Sequence, residues 1–461
     1  MGVTALMTPT SGGILPIEFF WANPSTTVFD AQSGGAVPFS TALANPSNYR
    51  LRDELHGAVA PGMDILAPAA ILTNPSGLDR FRAKYANAAT QTVHIGCFGD
   101  SITEGVIGSQ TLTDNVYADQ VSWAGQLRVL FANAFGSNPA GLITPAFAGT
   151  DTRVSTSGSP NTDATCVPTT YARRLTNAQT FTAIAPASRT ADILYYAGGS
   201  SDGTLNGGFN YTVDGGASQV GLASGNNPTP GFFAKNVGVL TNASHTYVVT
   251  GASANLQVVA GVRYHDGFGV SVSRYAKAGF TVLDLLTRGY ASPGSNGNIP
   301  GGTPNAVGIA RVMGFYAAAF GNDLNIIAVG ENDATKQQTA TAANELPDVA
   351  TYESYLRQMV AAQSTAGGCT LLLSTSPPQI GGQVVPTGGQ PRLAYHAAMK
   401  RIASDTPNVS HLDISDVWGV SGDWASPASI SAGFFANPPS VHPGVSGYGS
   451  MAAILYRVLT R

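Results

Sequence analysis

Three short segments hold residue types that together could attack a carbonyl group. "GCFGDSITEG" presents Ser101 directly after an apolar run and a Gly99-Asp100 turn. "IIAVGENDATKQ" ends a second apolar run in Gly330-Glu331-Asn332-Asp333, and "NPPSVHPGVSGYGSMA" holds His442 in a loop of small residues. A serine hydroxyl becomes a nucleophile when a base takes its proton, and histidine is the side chain that titrates near neutrality. An asparagine amide is a neutral donor suited to a developing negative charge. Each residue also has a structural reading: Ser101 suits a helix N-cap, and Gly-Glu-Asn-Asp suits a turn or a cap. Local sequence leaves both open.

Of the seven histidines, six fall where a structural role is expected. His56 lies in an N-terminal arm, His245 and His265 in a β-patterned region, His94 and His411 within strand runs, and His396 within a helical run. His442 alone precedes the last helical run in a loop, where its ring can reach the end of a sheet.

The surrounding pattern supplies the elements that must position these residues. "TVHIGCF" is a buried-strand run, and "DQVSWAGQLRVLFANAF" spaces Trp123, Leu127, Leu130 and Phe131 as one helix face. From about Gln179 to Arg274 short alternating segments ("ADILYY", "GGFNYTVDGG", "HTYVVTG", "NLQVVAGVRY", "FGVSVSRY") are separated by Gly, Asn and Asp clusters, which predicts a small β-sandwich or jelly roll. Alternation of helix and strand then resumes through "AVGIARVMGFYAAAF", "LNIIAVG", "YESYLRQMVAAQ", "CTLLLSTS", "RLAYHAAMKRIA" and "SMAAILYRVLT". That order predicts a parallel sheet covered on both faces, with functional groups at the carboxyl ends of its strands. Residues 1 to 85, rich in Pro, Gly and Asn-Pro turns, read as an N-terminal arm or small cap. The aromatics Tyr195, Tyr196, Phe209 and Tyr211 in the β region could stack on a sugar, although strand aromatics more often fill a core.

Composition narrows the function classes. The chain has 461 residues, enough for two or three units, with 43% hydrophobic and only 11% charged residues and a formal net charge of -4. No Lys/Arg cluster could track a phosphate backbone, so nucleic acid is not an expected partner. Cys97, Cys166 and Cys369 are odd in number and far apart, with no C-x-x-C pair, so buried thiols are expected and no metal or cofactor is implied. No run of about 18 apolar residues predicts a membrane span. The N-terminal "MGVTALMTPTSGG" lacks the basic start and apolar core of a secretory signal, and Leu6 stands where myristoylation prefers Ser or Thr. Localisation stays open between cytoplasmic, extracellular and virion-associated, as does the oligomeric state.

Taken in order, "GDSITEG", "YAKAGFTVLDLL", "VGEND" and "VHPGVSGYGSMA" resemble the four blocks of the SGNH (GDSL) hydrolase family of serine esterases. The resemblance implies a three-layer α/β/α sandwich with a parallel sheet, flavodoxin-like, over residues 86–165 and 275–461, interrupted by a β-rich accessory domain at 166–274. It implies Ser101 as nucleophile, His442 as base, and an oxyanion hole from the Ser101 and Gly279 backbone N–H groups with the Asn332 side chain. The implied activity is carboxylic ester hydrolysis through an acyl-enzyme, with O-acetyl groups on carbohydrate as the expected substrate. A phage-tail or cell-surface protein that binds glycans with little or no turnover is the alternative. One feature departs from the family: its usual D-x-x-H pattern puts an Asp where this chain has Pro439. The His442 ring is then expected to be oriented by a backbone carbonyl near Asn437 to Pro439, with Asp416 and Asp423 as the other candidates.

Overall fold

The computed structural model describes residues 71–107, 115–145, 151–158, 161–162, 173–197, 207–224, 231–255, 257–282, 285, 321–334, 348–375, 379–380, 383–384, 389–414 and 441–461, with four short strands before residue 52. Those four, Leu6–Thr8, Thr27–Asp30, Gly35–Pro38 and Arg50–Leu51, form one small sheet.

The element that organises the site is a six-stranded sheet. In order across it run Gly269–Ala276, Thr92–Gly99, Leu324–Ala328, Cys369–Ser374, Val409–Asp413 and Leu72–Thr73. All neighbours are parallel except the short Leu72–Thr73 edge strand, which is antiparallel. The central strands are apolar along almost their whole length because both faces are covered. Side chains alternate between faces. Ile95, Cys97, Ile326 and Leu371 pack with Trp123, Leu127 and Phe131 of the Trp123–Phe135 helix and with Met451 and Leu455 of the Val445–Thr460 helix. Phe98, Ile327 and Leu372 face the other way, onto Tyr352, Leu356 and Met359 of Val349–Thr365 and Met399 and Ile402 of Gly389–Asp405.

Register then sets the site. Ala276, Gly99 and Ala328 are partners in one row across three adjacent strands. The residues that follow each of them therefore leave the sheet side by side at its carboxyl edge.

The β-rich region forms two further sheets. One runs Gln219–Leu222, Phe209–Val213, Ala243–Gly251, Thr180–Ser188 and Val154–Ser157; the other runs Gly231–Asn236, Thr190–Ala197, Gln257–His265, Arg173–Leu175 and Asn161–Thr162, with Gly141–Ile143 also paired to Gln257–His265. His245, Tyr247 and Val249 alternate inward with half-buried Thr246, Val248 and Thr250, as a strand with one covered face requires. Gln257–His265 is buried throughout. Val259, Val262 and Tyr264 belong to the core of the β-rich region, whereas Val258 and Ala260 join Phe98, Tyr275 and Phe280 of the parallel sheet and its following loop.

One expectation changes here, and the core reading of the strand aromatics is met. "FGVSVSRY", grouped by its alternation with the β-rich strands, is instead the edge strand of the parallel sheet, with Ser271 and Ser273 buried. Tyr195, Phe209 and Tyr211 are buried core residues of the β-rich region and offer no stacking face; the side chain of Tyr196 lies outside the described residues. The helix expected over residues 306–320 also lies outside the described residues. Cys97 and Cys369 are buried and free, and Cys166 is outside the described residues.

Candidate active site

Ser101 opens a single helical turn, Ser101–Glu104, directly at the end of the Thr92–Gly99 strand. The cap of that turn is Asp100, whose Oδ1 accepts the Ile102 N–H at 3.0 Å. The N-cap reading of Ser101 is therefore displaced by one residue. Gly99 is required where it stands: a Cβ would lie 2.1 Å from Thr103 Oγ1 and 2.6 Å from the Ala328 carbonyl oxygen. Asp100 is fully buried, and its Oδ2 has no hydrogen-bond partner among the described residues. Burial pushes its pKa well above the usual carboxylate range.

His442 Nε2 lies 2.9 Å from Ser101 Oγ, across 341 residues of sequence. What brings it there is the Val445–Thr460 helix, whose N-cap is Gly444. Tyr448 donates its hydroxyl to the Val106 carbonyl at 2.6 Å, and Gln126 donates to the Val445 carbonyl at 3.2 Å. Both bonds tie the start of this helix to the neighbourhood of Ser101. Asn437 to Pro439, Asp416 and Asp423, the expected acceptors for His442 Nδ1, lie outside the described residues.

Gly279 sits in the turn that follows the edge strand. Lys277 N–H donates to the Gly99 carbonyl at 3.2 Å, and Phe280 N–H closes the turn onto the Lys277 carbonyl at 3.1 Å. Gly279 has φ +86°, as the third residue of a type II turn requires. A Cβ there would meet nothing within 4 Å, so the glycine is selected by backbone conformation and not by crowding.

Asn332 donates its side-chain N–H to the Phe280 carbonyl at 2.9 Å. Its neighbours extend the tie. Both Asp333 carboxylate oxygens accept the Val282 N–H at 3.1 Å, and Glu331 pairs with fully buried Arg392, whose Nε donates to Glu331 Oε2 at 2.8 Å and whose Nη2 bonds Oε1. The "VGEND" block thus holds the Gly279 turn from one side.

The structure brings together Ser101 and His442 by direct contact, and Gly279 and Asn332 through the 276–282 loop. Sequence reasoning did not single out Glu104, Glu331, Asp333 or Arg392. Glu104 was in view within "GDSITEG", but its partner is far away in sequence: Ala278 N–H donates to Glu104 Oε2 at 2.6 Å.

A second polar cluster joins the two sheets. His94, Asp192 and His265 bring ligand-type atoms within 4.8 Å of one another. The donor set does not suit a cation. Arg263 donates twice to Asp192 Oδ2, at 2.7 and 3.1 Å, and Asn236 donates to Oδ1 at 2.9 Å. Gly267 N–H donates to His265 Nδ1 at 3.2 Å, which makes Nε2 the donor position of the ring, facing Asp192 Oδ2 at 3.5 Å. Burial, with Arg263 nearby, holds His94 well below the ordinary histidine range. The cluster is a hydrogen-bonded polar joint between the parallel sheet and the β-rich region.

Among the described residues no helix is long and apolar enough to cross a membrane. No protein-family model matches the sequence, and no curated protein matches it. Solved structures do. A peptidoglycan O-acetylesterase is similar at 15% identity over 84% of this chain and 97% of its own, with a TM-score of 0.54. The likeness is one of fold: a mixed α/β chain containing a parallel sheet. A family two carbohydrate esterase from Cellvibrio japonicus is 12% identical over 70% of this chain and 96% of its own, and an acetyl-xylooligosaccharide esterase from Geobacillus is 18% identical over 42% and 74%. Their TM-scores are 0.23 and 0.30.

Proposed function

We propose that this protein is a serine carboxylic ester hydrolase of the SGNH (GDSL) type, acting on short acyl esters and chiefly on O-acetyl groups of carbohydrate. The observation that carries the reading is the 2.9 Å contact of His442 Nε2 with Ser101 Oγ at the carboxyl edge of a parallel sheet. His442 takes the Ser101 proton as Oγ attacks the ester carbonyl carbon. The Ser101 and Gly279 N–H groups and the Asn332 amide hold the resulting oxyanion. His442 then gives the proton to the departing alcohol, leaving an acyl-serine. Water attacks that ester by the same route, His442 accepting its proton and returning it to Ser101 Oγ as acetate leaves. A backbone carbonyl within Asn437 to Pro439 orients the His442 ring in this proposal, in place of the family's aspartate.

The same proposal takes the α/β part as a three-layer sandwich, supported by the core clusters on either face of the sheet, and the β-rich part as a unit inserted between its strands. The carbohydrate acetate preference is drawn from the peptidoglycan O-acetylesterase of similar fold.

Hydrolysis of p-nitrophenyl acetate by wild type, Ser101→Ala and His442→Ala tests the reading. Wild-type turnover with a loss of about 10⁴-fold or more in each variant is expected. Equal rates in wild type and Ser101→Ala would overturn it and leave a structural or glycan-binding protein. Octanoyl ester turnover faster than acetyl would remove the acetyl preference.

A further inference from the structure

We infer that Glu104 is a positioning residue that sets the distance between the nucleophile and the oxyanion donor of Gly279; the inference rests on the esterase reading above. Glu104 closes the helical turn that Ser101 opens. Its main chain is bound to the same turn, with Glu104 N–H donating to the Asp100 carbonyl at 2.9 Å. Its side chain leaves the turn and accepts the Ala278 N–H at 2.6 Å, a short charge-assisted bond. One side chain therefore spans from the nucleophile's own helix to the residue before Gly279.

The bond acts one peptide before the donor. The Ala278 N–H belongs to the Lys277–Ala278 unit, which shares the Ala278 Cα with the Ala278–Gly279 unit that carries the Gly279 N–H, so holding the first fixes the point from which the second starts. Lys277 N–H is fixed on the Gly99 carbonyl, Phe280 N–H closes on Lys277, and Asn332 and Asp333 hold Phe280 and Val282. Ala278 and Gly279 are the exposed crest of this turn. Glu104 ties the crest to the Ser101 side of the site.

Keeping a carboxylate there is costly. Glu104 is 7% exposed, and burial raises its pKa, an effect opposed by Arg274, the Ala278 N–H and Lys277. Arg274 also donates from Nη1 to the Glu104 carbonyl at 2.9 Å, which steadies the main chain from which the side chain projects. A buried acid with its charge partners on the adjacent strand and its carboxylate on a catalytic loop is placed to hold geometry. Its carboxylate is engaged with the Ala278 N–H, so it is a positioning residue and not a catalytic one.

The test compares Glu104→Ala and Glu104→Gln with wild type. The amide of glutamine keeps an acceptor oxygen at the same reach, whereas alanine removes it. Glu104→Ala is expected to lower kcat for p-nitrophenyl acetate by roughly 10- to 100-fold with KM within about threefold, because a donor displaced by about 1 Å loses transition-state and not ground-state binding. Glu104→Gln is expected to stay within about fivefold of wild type. Amide hydrogen exchange over residues 276–282 is expected to quicken in Glu104→Ala alone, with the central strands unchanged. That readout does not need turnover. If the wild type proves inactive on esters, the esterase reading fails while exchange still reports the clamp. Unchanged kcat in Glu104→Ala, equal losses in both variants, or unchanged exchange over 276–282 would overturn the inference.

Discussion

The Asn332 side-chain amide donates to the Phe280 carbonyl at 2.9 Å, which fastens the end of one sheet strand to the loop after another. A primary amide has two N–H groups, so the same side chain can hold the loop with one and meet an oxyanion with the other. Asn332→Ala is expected to lower kcat on p-nitrophenyl acetate by about 10²- to 10³-fold, the usual effect of deleting one oxyanion donor. Asn332→Asp replaces the donor with an anion and is expected to lose more. Steady-state kinetics on both variants check the order.

Two glycines at the site predict opposite kinds of damage from one substitution. Gly99→Ala pushes a methyl against Thr103 and the Ala328 carbonyl oxygen, and the strand pair must move. A loss of about 1 to 3 kcal/mol in urea denaturation is expected, as for other overpacked sites. Gly279→Ala meets open space and incurs only its left-handed backbone, about 1 to 2 kcal/mol. Because a turn can relieve that strain by rotating its central peptide, Gly279→Ala is expected to lose activity out of proportion to its loss of stability.

Ser101, Asn332 and His442 were legible as candidates because each follows an apolar run or precedes a helix and is flanked by turn residues, whereas Gly279 entered only through the resemblance to the SGNH blocks. Their supports were not. Glu104 meets Ala278 174 positions away, and Arg392 meets Glu331 61 positions away, separations that no local pattern encodes. The fold divides the same way. The continuous runs "TVHIGCF", "LNIIAVG" and "CTLLLSTS" are parallel-sheet strands, as their apolar character predicts. "GVSVSRYA" was misplaced because its serines imitate the solvent face of an antiparallel strand. Ser271 and Ser273 are small enough to be buried there, and period alone cannot separate a covered small polar residue from an exposed one.

The Glu331–Arg392 pair holds the residue next to Asn332. Arg392 is fully buried and Glu331 is 5% exposed, so removing one partner takes a close counter-charge from a buried group. Arg392→Leu is expected to destabilise the fold by about 3 to 5 kcal/mol. The double variant Glu331→Leu, Arg392→Leu is expected to recover much of that, since an apolar pair can replace a buried ion pair at little net cost. Recovery of stability without recovery of turnover would assign the pair to holding Asn332. Chemical denaturation and p-nitrophenyl acetate kinetics on the same three proteins provide both readouts.

The response to acid should carry the signature of His411. Its Nε2 lies 2.8 Å from Ser374 Oγ in a buried site. Burial pushes its pKa down to about 4, with Asp413 pulling upward and His396 and Lys400 adding to the depression. An unfolded histidine titrates near 6.5, so between about pH 6.5 and 4 the unfolded chain binds a proton that the folded chain refuses. Stability from this group is complete above about pH 6.5 and is lost as the pH falls towards about 4, to a total of roughly 3 kcal/mol. Asp100 and Glu104, whose pKa values are raised, act in the opposite direction. Their contribution cancels when wild type is compared with His411→Gln. Unfolding free energies at about pH 7.5 and about pH 4.5 should therefore fall further in wild type than in His411→Gln, by about 2 to 3 kcal/mol. Equal falls in the two proteins would mean that the folded chain accepts the proton at His411 as readily as the unfolded one.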